Sequence, residues 1–81
     1  MFTPSVGEYV RYNAYAKHPY GECSEIAHGE ILQVFACRYE DPKNHERYYV
    51  NVSDRGDKIW WKFHPCEFEP VNSKPLSTFF D

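Results

Sequence analysis

Residues 47–64 read RYYVNVSDRGDKIWWKFH, and this stretch decides the fold class of the chain. Apolar and polar side chains alternate on both sides of residues 54–57, which is typical of two half-buried strands joined by a turn. Gly56 can supply the positive φ that a tight hairpin turn requires. The stretch therefore predicts a β-hairpin with strands over 47–53 and 58–64. The side chains predicted to face the core are Tyr48, Val50, Val52, Ile59, Trp61 and Phe63.

Two further strands are predicted before the hairpin, over 8–15 and 30–38. The first alternates apolar and polar residues with a period of two. The second breaks that alternation, because apolar residues stand next to one another in it. A β-bulge near Gln33 would place Ile31 and Val34 on the same face of the sheet.

Turn-forming residues define the rest of the chain. Residues 16–27 show no sustained period, which indicates a long first loop, and loops of this length are often functional. Pro65 ends the second hairpin strand, and a single 3₁₀ turn over 65–67 is predicted before a last strand over 68–71. Residues 72–81 are predicted to form a C-terminal tail. No stretch favours a helix, so the sequence predicts a small all-β domain.

The composition agrees with this fold class. The 81 residues include seven Tyr, six Phe and two Trp, and such rings suit the half-buried surface of a sheet and help a small chain to build a core. The net charge is −3, and the basic residues are scattered singly. Nucleic-acid binders usually carry a basic excess, so the charge makes that class of protein less favoured.

The cysteines and the apolar runs indicate a compartment. Three cysteines cannot all pair within one chain, and the first residues lack the basic and apolar regions of a signal peptide. No apolar run is long enough to span a membrane. The sequence therefore predicts a cytoplasmic protein with reduced thiols and no membrane partner.

The predicted order of elements resembles that of the SH3-like barrels. Short bent strands, a long first loop, a tight hairpin and a one-turn spacer before the last strand occur in the same succession. The matching segments are residues 6–12, 29–34, 48–52, 61–64 and 66–71. The resemblance implies a five-stranded SH3-like barrel domain over residues 1–71. Such barrels serve as peptide readers, nucleic-acid binders and, in a few cases, enzymes, so the fold does not decide the function.

The two adjacent tryptophans indicate a binding surface. Successive side chains of a strand point to opposite faces, so Trp60 and Trp61 cannot both face the core. Trp60 is predicted to be exposed on an outer face, and exposed aromatic clusters are typical of interaction hot spots, methyl-lysine cages and single-strand stacking platforms. The alternative is that Trp60 only covers the tail, through Phe79 and Phe80. The predicted partner-binding residues are Trp60, Tyr49, Tyr9, Tyr20, Glu22 and Glu25.

Metal binding and catalysis find less support in the sequence. Six residues supply nitrogen or sulfur, but their spacings match no zinc knuckle and no Cys-x-x-Cys pair occurs. No nucleophile–base grouping or phosphate-binding loop stands out either. The sequence predicts no enzyme, no cofactor and no metal, with a zinc-binding domain kept as an alternative. The six candidate ligands are Cys23, His28, Cys37, His45, His64 and Cys66.

The leading hypothesis is a non-catalytic protein-interaction module that acts by stoichiometric binding. Its small size, short loops and lack of catalytic groups motivate this hypothesis. One form of it is an accessory or inhibitor protein of a phage or mobile element that targets a host protein. Acidic loops offer a surface that complements a basic partner. The alternative is a nucleic-acid-binding module, and self-association through the aromatic face or a strand edge is compatible with so small a domain. The basic residues for the nucleic-acid alternative are Arg11, Arg38, Arg47, Lys58 and Lys62.

Overall fold

A computed structural model describes residues 2–21 and 25–71 of the chain. These residues form one five-stranded antiparallel sheet with the strand order β4-β3-β2-β1-β5 and contain no α-helix. The predicted all-β class is therefore confirmed. The elements are β1 (Tyr9–Tyr12), β2 (Ile31–Tyr39), β3 (Tyr48–Asp54), β4 (Asp57–Phe63), a 3₁₀ turn (Pro65–Glu67) and β5 (Phe68–Pro70). The predicted tail, residues 72–81, lies outside the described residues.

The sheet is not closed by hydrogen bonds. Its edge strands are β4 and β5, and no backbone pairing joins them within the described part of the chain. Of the predicted five-stranded barrel, the structure thus shows the five strands in one antiparallel sheet. No helix among the described residues is long and apolar enough to cross a membrane.

The core lies on one face of this sheet and joins its two edges through three aromatic rings. Phe63 from β4 and Phe68 from β5 lie 5.2 Å apart between ring centroids, and Tyr12 from β1 contacts them at 5.7 and 5.9 Å. Side-chain packing therefore connects strands that share no backbone hydrogen bond. The buried hydrophobic residues are Val10, Tyr12, Ile26, Leu32, Val34, Val50, Val52, Ile59, Phe63 and Phe68.

The hairpin that the sequence predicts is present, and its turn has two residues. Arg55 and Gly56 have φ values of 53° and 90°. A two-residue turn with two positive φ angles matches the right-handed twist of the flanking strands. The turn thus sets the register in which β4 returns along β3.

The second strand differs from its prediction in the position of its bulge. Val34 pairs with Val52 and Ala36 pairs with Asn51, so the extra residue is Phe35 rather than a residue near Gln33. Because the strand is regular before that point, Leu32 and Val34 share the core face, and Ile31 is 50% exposed. The predicted common face of Ile31 and Val34 is therefore wrong.

The fourth strand departs further from alternation. Ile59 pairs with Val52 and Phe63 pairs with Val50, which leaves the three residues 60–62 opposite the single residue Asn51. The side-chain amide of Asn51 donates to the carbonyl oxygen of Trp61 at 2.8 Å and stabilises this three-residue bulge. Trp61 is consequently 42% exposed, and its predicted core position is wrong.

Candidate interaction surface

Trp60 lies on the face of the sheet opposite the core. Its side chain is 73% exposed. Its ring contacts Phe35 edge-on at 5.1 Å between centroids, although the two residues belong to strands that flank β3 on opposite sides. Both residues belong to the irregular parts of their strands, so the two bulges bring an indole and a phenyl ring together above β3.

Two lysine ammonium groups lie over the rings of this face. Lys58 Nζ is 5.4 Å from the Phe35 centroid and 5.8 Å from the Trp60 centroid. Lys62 Nζ is 5.1 Å from the ring of Tyr49. Distances below about 6 Å allow an attractive cation–π contact. We call this set the Trp60 surface; its members are Phe35, Tyr49, Lys58, Trp60, Trp61 and Lys62.

A hollow of about 340 Å³ opens beside the two indoles. Gly21, in the long first loop, lies against one of its walls. A Cβ atom at Gly21 would stand 2.9 Å from Cζ2 of Trp61, and the φ of +151° is one that side-chain-bearing residues rarely adopt. Glycine therefore lets the loop backbone pack directly on the Trp61 ring. The hollow is lined by Tyr20, His45, Glu46, Trp60, Trp61 and Lys62.

The charges at the rim of the hollow are largely paired. Glu46 accepts a hydrogen bond from Lys62 and lies 3.2 Å from Nε2 of His45. The hydrogen bond from Lys62 lowers the pKa of the Glu46 carboxyl below its usual value. Lys58 forms no ion pair with any described carboxylate. Within the described ranges, the positive charge of this surface that lacks a counter-ion is therefore at Lys58.

Tyr20 also lines the hollow, and its hydroxyl group is unusual. Its oxygen is buried and has no hydrogen-bond partner among the described residues. Burial raises the pKa of this phenol above its usual value. The ring packs on His45 at 5.4 Å and on His64 at 4.9 Å. The long loop is thus attached to the sheet at this point through aromatic contacts.

A buried carboxylate holds Tyr20 in place. Glu67 is 1% exposed, and its Oε2 accepts from the backbone N–H of His64 at 2.8 Å and of Tyr20 at 3.5 Å. Nδ1 of His64 accepts from the backbone N–H of Cys66 at 3.0 Å. Burial raises the pKa of Glu67 and lowers that of His64. The 3₁₀ turn therefore uses its polar side chains to cap itself and to anchor the loop.

The predicted binding residues fall in different places. Trp60 and Tyr20 line the same hollow, and Tyr49 lies next to it under Lys62. Tyr9 is 54% exposed but lines a separate depression of about 150 Å³ with Gln33 and other residues. Glu25 is exposed on the long loop, and Glu22 lies outside the described residues.

Sequence reasoning missed three contributors to this surface. Trp61 was predicted to face the core, Phe35 had no role, and Glu46 was considered only as one of the acidic loop residues that could complement a basic partner. The signal for Phe35 was present, because an apolar residue at a break of alternation is typical of a bulge. Glu46 carried no such signal, since its proximity to Lys62 depends on how the 40–47 loop returns to β3.

The metal hypothesis finds no cluster to support it in the described ranges. No group of three histidine, cysteine or acidic side chains there could hold an ion. Cys37 and Cys66 are free thiols, and His28 accepts a hydrogen bond from the backbone of Ala14. The sixth candidate ligand, Cys23, lies outside the described residues.

Comparison with known proteins adds no family to this description. No family model matches the chain, and neither a curated protein nor a solved structure is significantly similar to it. The geometry of the Trp60 surface and its hollow is therefore the basis on which a function can be inferred.

Proposed function

We propose that this protein is a non-catalytic interaction module that binds a protein partner stoichiometrically through the Trp60 surface. The observation that carries the proposal is an indole with 73% exposure, packed on Phe35 and next to a second half-exposed indole. Tryptophan is the residue most enriched in interaction hot spots, and apolar side chains clustered on a surface mark binding sites more often than single ones do.

The architecture supports the resemblance to SH3-like barrels on which the proposal draws. The five strands in chain order, the tight hairpin turn and the 3₁₀ turn before β5 follow the succession that the sequence predicted. In such a barrel, the surface formed by bent strands and the long first loop is free to contact a partner. Tyr20 and Gly21 bring that loop against the indoles.

A nucleic-acid partner is the second candidate, because lysines over aromatic rings also form stacking platforms for single strands. The charges favour a protein. Lys62 is paired with Glu46, and Arg38 is paired with Glu40 at 2.6 Å. Two of the five basic residues considered for a nucleic-acid partner are thus already paired, and the net charge of −3 gives no basic excess for binding phosphates.

The test is affinity capture from a lysate of the source organism with three immobilised baits. These are the wild-type protein, Trp60→Ala and Tyr15→Ala. Tyr15 is the matched control, because its ring is 78% exposed and contacts His28, which does not line the hollow. We expect the wild type and Tyr15→Ala to retain the same protein at a stoichiometric level and Trp60→Ala to lose it.

Two results would overturn this proposal. One is that no protein is retained stoichiometrically by the wild type. The other is that Trp60→Ala, folded by circular dichroism, retains its partner as well as the wild type does.

A further inference from the structure

We infer that the Trp60 surface selects an acidic segment of its partner, with one large apolar side chain that enters the hollow beside the indoles. This inference rests on the proposed function and adds to it the chemistry of the ligand. It follows from where the lysine ammonium groups lie, from which of them are neutralised, and from the shape of the β4 edge.

The rings of this surface already carry cations. Lys58 Nζ lies over both Phe35 and Trp60, and Lys62 Nζ lies over Tyr49. A methyl-lysine or other ammonium ligand would have to displace these groups or share a ring with them, at a cost in like-charge repulsion. The surface therefore disfavours the cationic ligands that aromatic cages usually bind.

Lys58 has the opposite effect on an anion. It is on the exposed face of β4, and no described carboxylate neutralises it. Lys62 and His45, by contrast, both contact Glu46. An incoming carboxylate thus finds one unpaired ammonium group beside an apolar ring, which is complementary to an acidic residue that flanks an apolar one.

The hollow indicates how the ligand is anchored. Its volume of about 340 Å³ suits one large side chain, and the indoles of Trp60 and Trp61 supply apolar walls. Gly21 packs on the ring of Trp61, and Tyr20, whose buried hydroxyl has no partner among the described residues, belongs to the lining. An anchor that reaches this hollow would bury both indoles.

Strand addition to the edge of the sheet is disfavoured as the binding mode. β4 contains the three-residue bulge at residues 60–62, and the carbonyl oxygen of Trp61 already accepts a hydrogen bond from Asn51. β5 has three residues and ends in proline. Neither edge offers the regular row of backbone groups that an added strand requires. Recognition must then come from side chains, which makes the charge at Lys58 decisive.

The experiment is selection of a random dodecapeptide library on three immobilised proteins. These are the wild type, Lys58→Glu and Lys43→Glu. The last is the matched control, because it makes the same charge change at an exposed lysine that does not lie over the rings of Phe35, Tyr49 or Trp60. We expect the wild type to enrich peptides with a net negative charge and at least one large apolar residue. Lys58→Glu is expected to enrich peptides of the opposite charge, and Lys43→Glu to behave as the wild type.

Affinity of the best acidic peptide gives the quantitative result. Its dissociation constant is expected to rise about tenfold or more in Lys58→Glu and by no more than about twofold in Lys43→Glu. Gly21→Ala is expected to weaken binding of the same peptide, because the new methyl group would stand 2.9 Å from Cζ2 of Trp61 and the indole would have to shift.

Several outcomes would overturn the inference. They are enrichment of basic peptides, enrichment that does not respond to Lys58→Glu, no enrichment, or tighter, steeply salt-dependent binding of an oligothymidylate. If one of these results is obtained and Trp60→Ala still loses the captured lysate protein, the inferred acidic ligand is wrong and the proposed function stands. If Trp60→Ala retains that protein, the proposed function itself fails.

Discussion

Two consecutive parts of the chain use their side chains in opposite ways. The bulge at residues 60–62 turns two indoles outward, where they are 73% and 42% exposed. The 3₁₀ turn that follows β4 turns a carboxylate inward, where Glu67 is 1% exposed. Large apolar groups are normally buried and carboxylates normally exposed. Both kinds of side chain depart from this rule within eight residues. We infer that the 3₁₀ turn serves the fold and that the exposed indoles do not.

The partners of each group account for the difference. Glu67 accepts hydrogen bonds from the backbone of His64 and of Tyr20, so its burial satisfies donors in two segments. Trp60 has one ring contact and a lysine above it, and it is not part of the buried core. Removing the Glu67 side chain should therefore destabilise the fold, whereas removing the Trp60 side chain should leave the fold intact.

The largest effect on stability is expected from the aromatic contacts that join the edge strands. Phe63 is fully buried between Tyr12 and Phe68. Phe63→Ala should lower the free energy of unfolding by about 3–5 kcal/mol, measured by urea denaturation. The loss in this variant is the reference value for removing a side chain from the folded core. A loss below about 1 kcal/mol would mean that these rings do not hold β4 and β5 together.

The next effect tests the inward half of the comparison. Glu67→Ala leaves the N–H groups of His64 and Tyr20 without their acceptor and should cost about 2–3 kcal/mol. Glu67→Gln keeps an acceptor oxygen and should cost less. Equal losses for the two variants would show that the hydrogen bonds do not matter.

The same residue predicts a pH dependence with a definite sign. Burial raises the pKa of Glu67, so the folded protein holds this proton more tightly than the unfolded chain does. Its contribution to stability is greatest below the usual range of a glutamate and is lost as the pH rises through the raised pKa. The stability of Glu67→Gln relative to the wild type should therefore improve between about pH 4 and about pH 7. A constant difference over that interval would contradict the burial of a charged group.

A smaller effect is expected at the link between the two regions. Asn51 holds the bulge through its bond to the carbonyl oxygen of Trp61. Asn51→Ala should cost about 1 kcal/mol and should also weaken partner capture, because Trp60 and Trp61 lose their fixed positions. The control is Ser53→Ala on the same strand, which removes a longer bond to the carbonyl oxygen of Gln33. If both variants keep full capture, the bulge geometry is irrelevant to binding.

The sequence was informative wherever one periodicity held over a whole segment. The alternation at Val50 and Val52, the glycine of the hairpin and the proline that begins the 3₁₀ turn each act through local backbone preferences. These features predicted the strand succession and the all-β class. The exposure of Trp60 followed from the same alternation, because adjacent residues cannot both face inward.

The sequence was least informative where one strand has more residues than its neighbour between two successive paired positions. Alternation placed Trp61 in the core, but the two extra residues in β4 are visible only from its register against β3. The hollow depends likewise on Gly21 and Tyr20 returning to the sheet, and a non-local contact of this kind has no period in the sequence. Tertiary packing, not propensity, decides such positions.

The measurement that tests the central claim most directly is paired thermal unfolding and partner capture with Trp60→Ala. The account predicts a cooperative transition with less than about 1 kcal/mol lost in the free energy of unfolding, because only the contact with Phe35 and the overlying lysine is removed. It also predicts that the stoichiometric partner is no longer retained. A loss of stability close to that of Phe63→Ala, with capture preserved in the folded fraction, would contradict the claim that this indole serves binding rather than the fold.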